Sequence, residues 1–285
     1  MAENLQILKN RIKSASNISK IAKAMEMISA SKIKKAQDAV ENNRPYSEKI
    51  TEIVEKTLAS VDLESFSHEY LKINNSNKKL LVAISPDKGL CGSLPTNLTK
   101  KLSELIDKDT LIITIGKKIA KFASKSGGQL IASFPMGTAL PQYSNIFPII
   151  DLINQYFMGG KVGSVAIVLT EFKSIFLQVP HVTRLLPLIP AIDQTNIEKI
   201  EPTGYSFEPN INVVLQELLP YFIEVKLYYY LIHAFTSEQA ARMIAMQNAK
   251  NNALDIADFL TLTYNKARQA KITNELLDLA NVQYI

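Results

Sequence analysis

Apolar residues recur at steps of three or four along the N-terminal segment, at Leu5, Leu8, Ile12, Ala15, Ile18, Ala22, Met25, Ile28, Ile33, Ala36 and Val40. That period puts them on one stripe of an α-helix, and no proline interrupts before Pro45. A helix over residues 4–58 is predicted. The C-terminal segment repeats the pattern at or near helical spacing: Val213, Leu218, Phe222, Val225, Tyr229, Ile232, Ala240, Met243, Ala257, Leu260, Tyr264, Ala267 and Leu276. It predicts a second helix over residues 212–280, kinked or broken at Pro220, with the main run starting at about Tyr221. At about 1.5 Å of rise per residue, either helix would span roughly 80 to 100 Å, several times the diameter of a small domain. Two such helices, leaving a shared root toward opposite chain ends, must pair antiparallel, each burying the other's stripe.

Between them the texture changes. Residues 79–85 (KLLVAIS), 110–116 (TLIITIG), 129–134 (QLIASF) and 164–172 (SVAIVLTEF) are short runs rich in Val and Ile, as buried strands should be. Helical patterns at about 95–106, 117–126 and 141–157 separate them, so βαβ units and a mainly parallel sheet are expected. Residues 173–188 offer one further edge strand, and a loop over 190–210, with Pro202, Gly204 and Pro209, returns the chain to the second long helix. The fold class is α/β: a long antiparallel coiled coil of N- and C-terminal helices plus a central Rossmann-like domain. The expected divisions are a shaft helix at 1–60, the α/β domain at 75–190, and a second shaft helix at 210–285 that pairs with the first.

Charge changes this picture. The formal net charge is +5, and it is concentrated near the start: Lys9, Arg11, Lys13, Lys20, Lys23, Lys32, Lys34 and Lys35 face only Glu3, Glu26 and Asp38 before Val40. Such a basic helix suits an acidic protein, nucleic acid or an anionic membrane surface, or simply solvates itself with lysine. Cys91 is the only cysteine, which excludes an internal disulfide and a cysteine-based zinc site, and His68, His181 and His233 lack paired ligand spacing. No apolar run approaches the roughly 18 to 20 residues of a membrane span. The N-terminus lacks the apolar core of a secretory signal and reads as helix almost from Met1, so the mature chain is expected to start there.

The one tempting motif is residues 87–97, DKGLCGSLPTN, placed after a strand and before a helix where phosphate loops sit. Neither GxGxxG nor GxxxxGK[ST] is present, and Gly89 and Gly92 read as turn residues whose backbone geometry a side chain would block. Cys91 has no evident base partner, no GxSxG elbow occurs, and Asp255, Asp258 and Glu275 sit among lysines as solvated helix surface. No catalytic, cofactor-binding or metal-ligating residue is expected, and no cofactor.

Three blocks carry a resemblance. Residues 11–37, RIKSASNISKIAKAMEMISASKIKKAQ, and 237–276, SEQAARMIAMQNAKNNALDIADFLTLTYNKARQAKITNEL, resemble the two terminal helices of the gamma subunits of F-type ATP synthases, and DKGLCG resembles that family's DRGLCG turn. The blocks occur in family order across nearly the whole chain. Ser93, Pro95 and Pro86 depart from the residues usual around the turn.

The resemblance implies a non-catalytic central-stalk rotor. Its helix pair would turn inside a hexamer of alpha and beta subunits (alpha3beta3), and its α/β domain would sit against the epsilon subunit and the membrane c-ring. Proton-driven rotation would thereby couple to ATP synthesis and regulate ATPase activity and proton flow. It implies a peripheral protein on the cytoplasmic face of a bacterial inner membrane, with no nucleic acid and no small-molecule substrate of its own. Arg268, Gln269 and Thr273 match positions where the family contacts the hexamer's loops, and Met25 falls in the AMEM block that resembles the surface facing the beta-subunit lever. Lys9 and Lys13 belong to the basic flank expected to face acidic beta-subunit loops. The rival reading is a basic coiled-coil protein associated with nucleic acid, which predicts salt-sensitive affinity for DNA or RNA.

Overall fold

A computed structural model of the chain describes residues 5–61, 66–188 and 206–282, with side chains through residue 277. The chain forms two compact units, one of residues 1–30 with 242–285 and one of residues 31–241. Helix α1 (Leu5–Ala59) and helix α5 (Ile211–Val282) run through both. The return loop expected at 190–210 lies largely outside the described residues.

In α1 the buried positions keep a strict alternation of three and four. Leu8, Ala15, Ser19, Ala22, Ser29, Ile33, Ala36, Val40, Ser47, Ile50, Val54 and Thr57 are buried, half-buried Ile12, Glu26 and Asn43 fill the gaps, and Leu58 is buried beside Thr57 at the helix end. A 3.5-residue mean step is the coiled-coil repeat, so α1 presents one seam within each unit. The sequence stripe is corrected in three places: Ile18 and Ile28 are 55% and 56% exposed and Met25 is half-buried beside the seam, while their neighbours Ser19, Ser29 and Glu26 take it. Hydropathy favoured the isoleucines, but the phase fixed by Leu8, Ala15 and Ala22 left them one residue, about 100°, off the interface.

The unit of residues 31–241 carries the sheet. Strands β1 (Lys79–Ile84), β2 (Thr110–Ile115), β3 (Gln129–Phe134) and β4 (Ser164–Phe172) are parallel, and β5 (Gln178–Leu186) adds antiparallel to β4, giving the order β3-β2-β1-β4-β5. Alternate side chains serve two cores. Leu81, Ala83 and Val168 pack with Leu98 and Leu102 of α2 (Leu94–Ser103) and Ile119 of α3 (Lys117–Ala123). Leu80, Val82, Ile84, Ile167 and Leu169 face a larger core shared with Ile149, Ile153 and Phe157 of α4 (Phe147–Phe157), Ile50 and Val54 of α1, and Leu219, Ile223, Leu227 and Leu231 of α5. A parallel sheet needs both faces covered, and here the long helices supply much of one cover.

Both long helices pass through a proline. Pro220 does not break α5, contrary to the sequence expectation of a main run starting after it. Its missing N–H deprives the Gln216 carbonyl of its usual partner, and the Gln216 backbone lies near enough to the His68 imidazole to favour the protonated ring, against the burial that pulls His68 down. The Tyr70 N–H donates to His68 Nδ1 at 3.0 Å. One residue beyond each proline, Tyr46 of α1 and Tyr221 of α5 join hydroxyls at 2.6 Å with their rings edge to face at 78°. That hydrogen bond, followed by burial, pushes the Tyr46 hydroxyl up to about 12. The Thr236 hydroxyl of α5 lies 3.5 Å from the Ala36 carbonyl of α1. Contacts at 46/221 and 36/236 fix the antiparallel sense within this unit.

His233 is 2% exposed, lies against Tyr229 with ring centroids 4.3 Å apart and planes tilted by 50°, and has no hydrogen-bond partner on either ring nitrogen among the described residues. Burial pulls it down to about 4, with Glu171 opposing and Arg44 and Lys173 adding to the shift. The unfolded imidazole titrates near 6.5, so between about 4 and 6.5 the unfolded chain holds the extra proton. Stability is therefore complete above about pH 6.5 and falls as pH drops through that window, by at most about 3 kcal/mol. Chemical denaturation at pH 7 and pH 4.5 should show this loss in the parent chain and a flatter profile in His233→Leu.

Candidate functional site

In a parallel α/β sheet, ligands sit outside the carboxyl ends of the strands where the strand order reverses. Here that place is the loop leaving β1, residues 85–93, and the chain's own side chains fill it. Asp87 Oδ1 accepts the Lys117 N–H at 3.0 Å and Oδ2 accepts the Gly137 N–H at 2.8 Å. Ser85 Oγ accepts the Ile119 N–H at 3.2 Å, and the Pro86 carbonyl accepts that of Lys118, also at 3.2 Å. The first N–H groups of α3, the helix that follows β2, are thus taken by a carboxylate, a hydroxyl and a carbonyl. Gly116, at φ 103°, makes the closure possible, since a Cβ there would lie 1.9 Å from the Ser85 carbonyl oxygen.

The turn itself differs from the sequence expectation. Gly92 has a left-handed φ of 60°, but its partner in that geometry is Leu90 at 63°, not Gly89. At Gly89 an added Cβ would meet only the flexible Lys118 side chain at 3.5 Å. Cys91 is buried beneath the turn, with Sγ 3.8 Å from the Lys88 carbonyl oxygen. DKGLCG is a structural closure.

The unit of residues 5–30 and 242–282 has a different character. Its seam buries Leu8, Ala15, Ser19, Ala22 and Ser29 of α1 and Arg242, Met246, Ala253 and Ala257 of α5. Outside the seam, Ile7, Ile18, Ile21, Met27 and Ile28 of α1 are 47% to 64% exposed. On α5, Leu254, Ile256, Phe259, Leu262, Ile272 and Leu276 are 47% to 68% exposed. Large apolar side chains open to water in such number on a soluble surface mark an interface. A single helix pair can bury only one stripe per helix, and these side chains lie outside it; on α1, Ile7, Ile18, Ile21 and Ile28 share a phase one position before the seam.

The residues singled out in the sequence all lie in this unit. Lys9 and Lys13 are exposed and Met25 is half-buried beside the seam, while Arg268, Gln269 and Thr273 are exposed on α5. The Thr273 hydroxyl donates back to the Gln269 carbonyl at 3.0 Å, as a solvent-facing helical threonine does. Sequence reasoning missed the exposed isoleucines. The available signal was a second apolar stripe, at 7, 18, 21, 25 and 28, one position before the seam phase.

Fold and surface together define an assembly subunit: an α/β domain whose β1 loop is tied by hydrogen bonds to α3 and Gly137, with helices that present apolar and cationic faces outward. A family model described as ATP synthase matches residues 4–281. The chain is 40% identical over 279 residues to an ATP synthase gamma chain of Dehalococcoides mccartyi, covering 97% of this chain and 96% of that one. It is 36% identical over 281 residues to the gamma chain of Flavobacterium psychrophilum, with the same coverage of 97% and 96%. The chain belongs to the ATP synthase gamma-chain family. Among solved structures it shares its fold with the Euglena gracilis mitochondrial ATP synthase rotor (TM-score 0.66, 20% identity, 94% of this chain and 98% of that one). It shares it also with the Tetrahymena thermophila mitochondrial ATP synthase central stalk and c-ring (TM-score 0.60, 24% identity, 80% and 99%). Among the described residues, no helix is long and apolar enough to cross a membrane.

The closure at Asp87 has a measurable consequence. Two backbone N–H groups lose a charged acceptor in Asp87→Ala, so the variant should unfold about 2 kcal/mol more easily, with Asp87→Asn intermediate. Denaturant midpoints measure the effect. ATP, added to the parent chain or to Asp87→Ala, should shift neither midpoint.

Proposed function

We propose that this chain is the non-catalytic central-stalk rotor of an F-type ATP synthase. In this reading residues 1–60 and 210–285 form the shaft inside the alpha3beta3 hexamer, and residues 75–190 form the foot against the epsilon subunit and the c-ring. The protein sits peripherally on the cytoplasmic face of a bacterial membrane. The observation that carries this reading is the second apolar stripe of the helix pair, flanked by Lys9, Lys13, Lys20 and Lys23. An apolar face slides within a sleeve without forming fixed, directional bonds, while lysines attract acidic loops at long range. A family match over nearly the whole length leaves the nucleic-acid reading without support.

The mechanism follows from asymmetry. Two different helices cannot present the same face in three directions, so each orientation of the pair favours a different conformation at each of three surrounding sites. A bound partner responds only through differential contact free energy, and the exposed side chains of α1 and α5 differ in size and charge around the pair. Rotation driven from the foot cycles those preferences, and nucleotide chemistry stays in the partners. Met25, Arg268, Gln269 and Thr273 are contact residues in this scheme.

Reconstituted complexes carrying Arg268→Glu or Ile21→Asp should assemble, and their ATP-driven proton pumping should fall at least fivefold. Both side chains are exposed, so the stability of the chain alone should be unchanged. Normal pumping and turnover in either variant would remove that residue from the bearing surface.

A further inference from the structure

The seam of the unit formed by residues 5–30 and 242–282 is built largely from small side chains, Ala15, Ser19, Ala22 and Ser29 on α1 facing Ala253 and Ala257 on α5. Small residues let two helices approach closely but interlock shallowly, so they define axial position weakly. A polar residue at a seam position is what specifies register in such a pair. On α1 the charged residue at such a position is Glu26: it occupies the seam step between Ala22 and Ser29, and it is the only carboxylate between Leu5 and Ala30. Across the seam, Lys250 Nζ lies 2.8 Å from Glu26 Oε2, with side-chain exposures of 23% and 21%.

We propose that the Glu26–Lys250 ion pair is the register pin of this helix pair, and that it fixes the axial offset between the exposed apolar faces of α1 and α5. A slide of one turn, about 5.4 Å, is the smallest that restores helical phase. It would set Glu26 opposite Met246 or Leu254, leaving a half-buried carboxylate against apolar atoms and Lys250 without its partner. The native register is selected against its nearest competitors by the cost of those unpaired charges. Pairing also turns the single acid of this stretch inward, so the outer face of α1 keeps only cations. Glu26 and Lys250 are positioning residues, and only the consequence for coupling rests on the rotor reading.

Two readouts separate register from function in the assembled complex. Spin labels at residues 18 and 256, both exposed, in a Cys91→Ala background report the axial offset as a distance distribution. Glu26→Lys and Lys250→Glu should each broaden or displace that distribution and cut protons pumped per ATP at least threefold. The double exchange Glu26→Lys/Lys250→Glu should return both measurements to within twofold of the parent. If either reversal fails to assemble, Glu26→Gln and Lys250→Met carry the test, each broadening the distribution. Single variants with the parent distribution, or a double exchange as disturbed as the singles, overturn the pin. A distribution that shifts and recovers while pumping never changes upholds the pin and counts against the rotor reading.

Discussion

One side chain in every three or four along α1 is turned inward, from Leu8 to Thr57, and that repeat constrains everything else. It commits one stripe of each long helix to the other, so a helix can offer its remaining faces to something else. In the unit of residues 31–241 those faces cover the sheet, through Ile50 and Val54 of α1 and Leu219 to Phe235 of α5. In the unit of residues 5–30 and 242–282 they stay open, and isoleucine, leucine and phenylalanine meet water. The same seam therefore builds a domain core in one place and a bearing surface in another.

The α/β domain has the topology of a ligand-binding sheet, and its loop leaving β1 is spent on internal contacts. Asp87, Ser85 and the Pro86 carbonyl occupy the first N–H groups of α3, the helix after β2. Asp87 also reaches Gly137, and the next residue's carbonyl accepts a hydrogen bond from Lys32 of α1. Tyr143 and Tyr228 tie the same connection to α5, through the Glu224 carboxylate at 2.8 Å and the Pro141 carbonyl at 3.3 Å. A loop set that elsewhere binds a ligand here joins the sheet to both helices, as a load-carrying domain requires.

Periodicity made both long helices legible before any coordinates, and the first four strands showed as short Val- and Ile-rich runs between helical patterns, because strands buried on both faces are almost continuously apolar. The antiparallel edge strand was weaker, since β5 alternates between half-buried and exposed positions and carries Pro180 and His181. Helix phase was the real difficulty. Ile18 and Ser19 differ by one step, and hydropathy favours the wrong one when a seam is made of small residues. Pro220 misled because the helix continues through it, with His68, far away in sequence, set beside the Gln216 backbone, and no local pattern announces that neighbour. The contact residues came from resemblance, whereas the second apolar stripe around them was present in the spacing.

The central claim is that the helix pair turns as a unit within a ring of partners. A bead attached through a cysteine introduced at exposed Lys108, with the surrounding alpha and beta subunits fixed to a surface, would report that motion directly. Unidirectional rotation of the bead in three steps per turn on addition of ATP is the predicted result. Continued ATP hydrolysis by the complex with a stationary bead would contradict it.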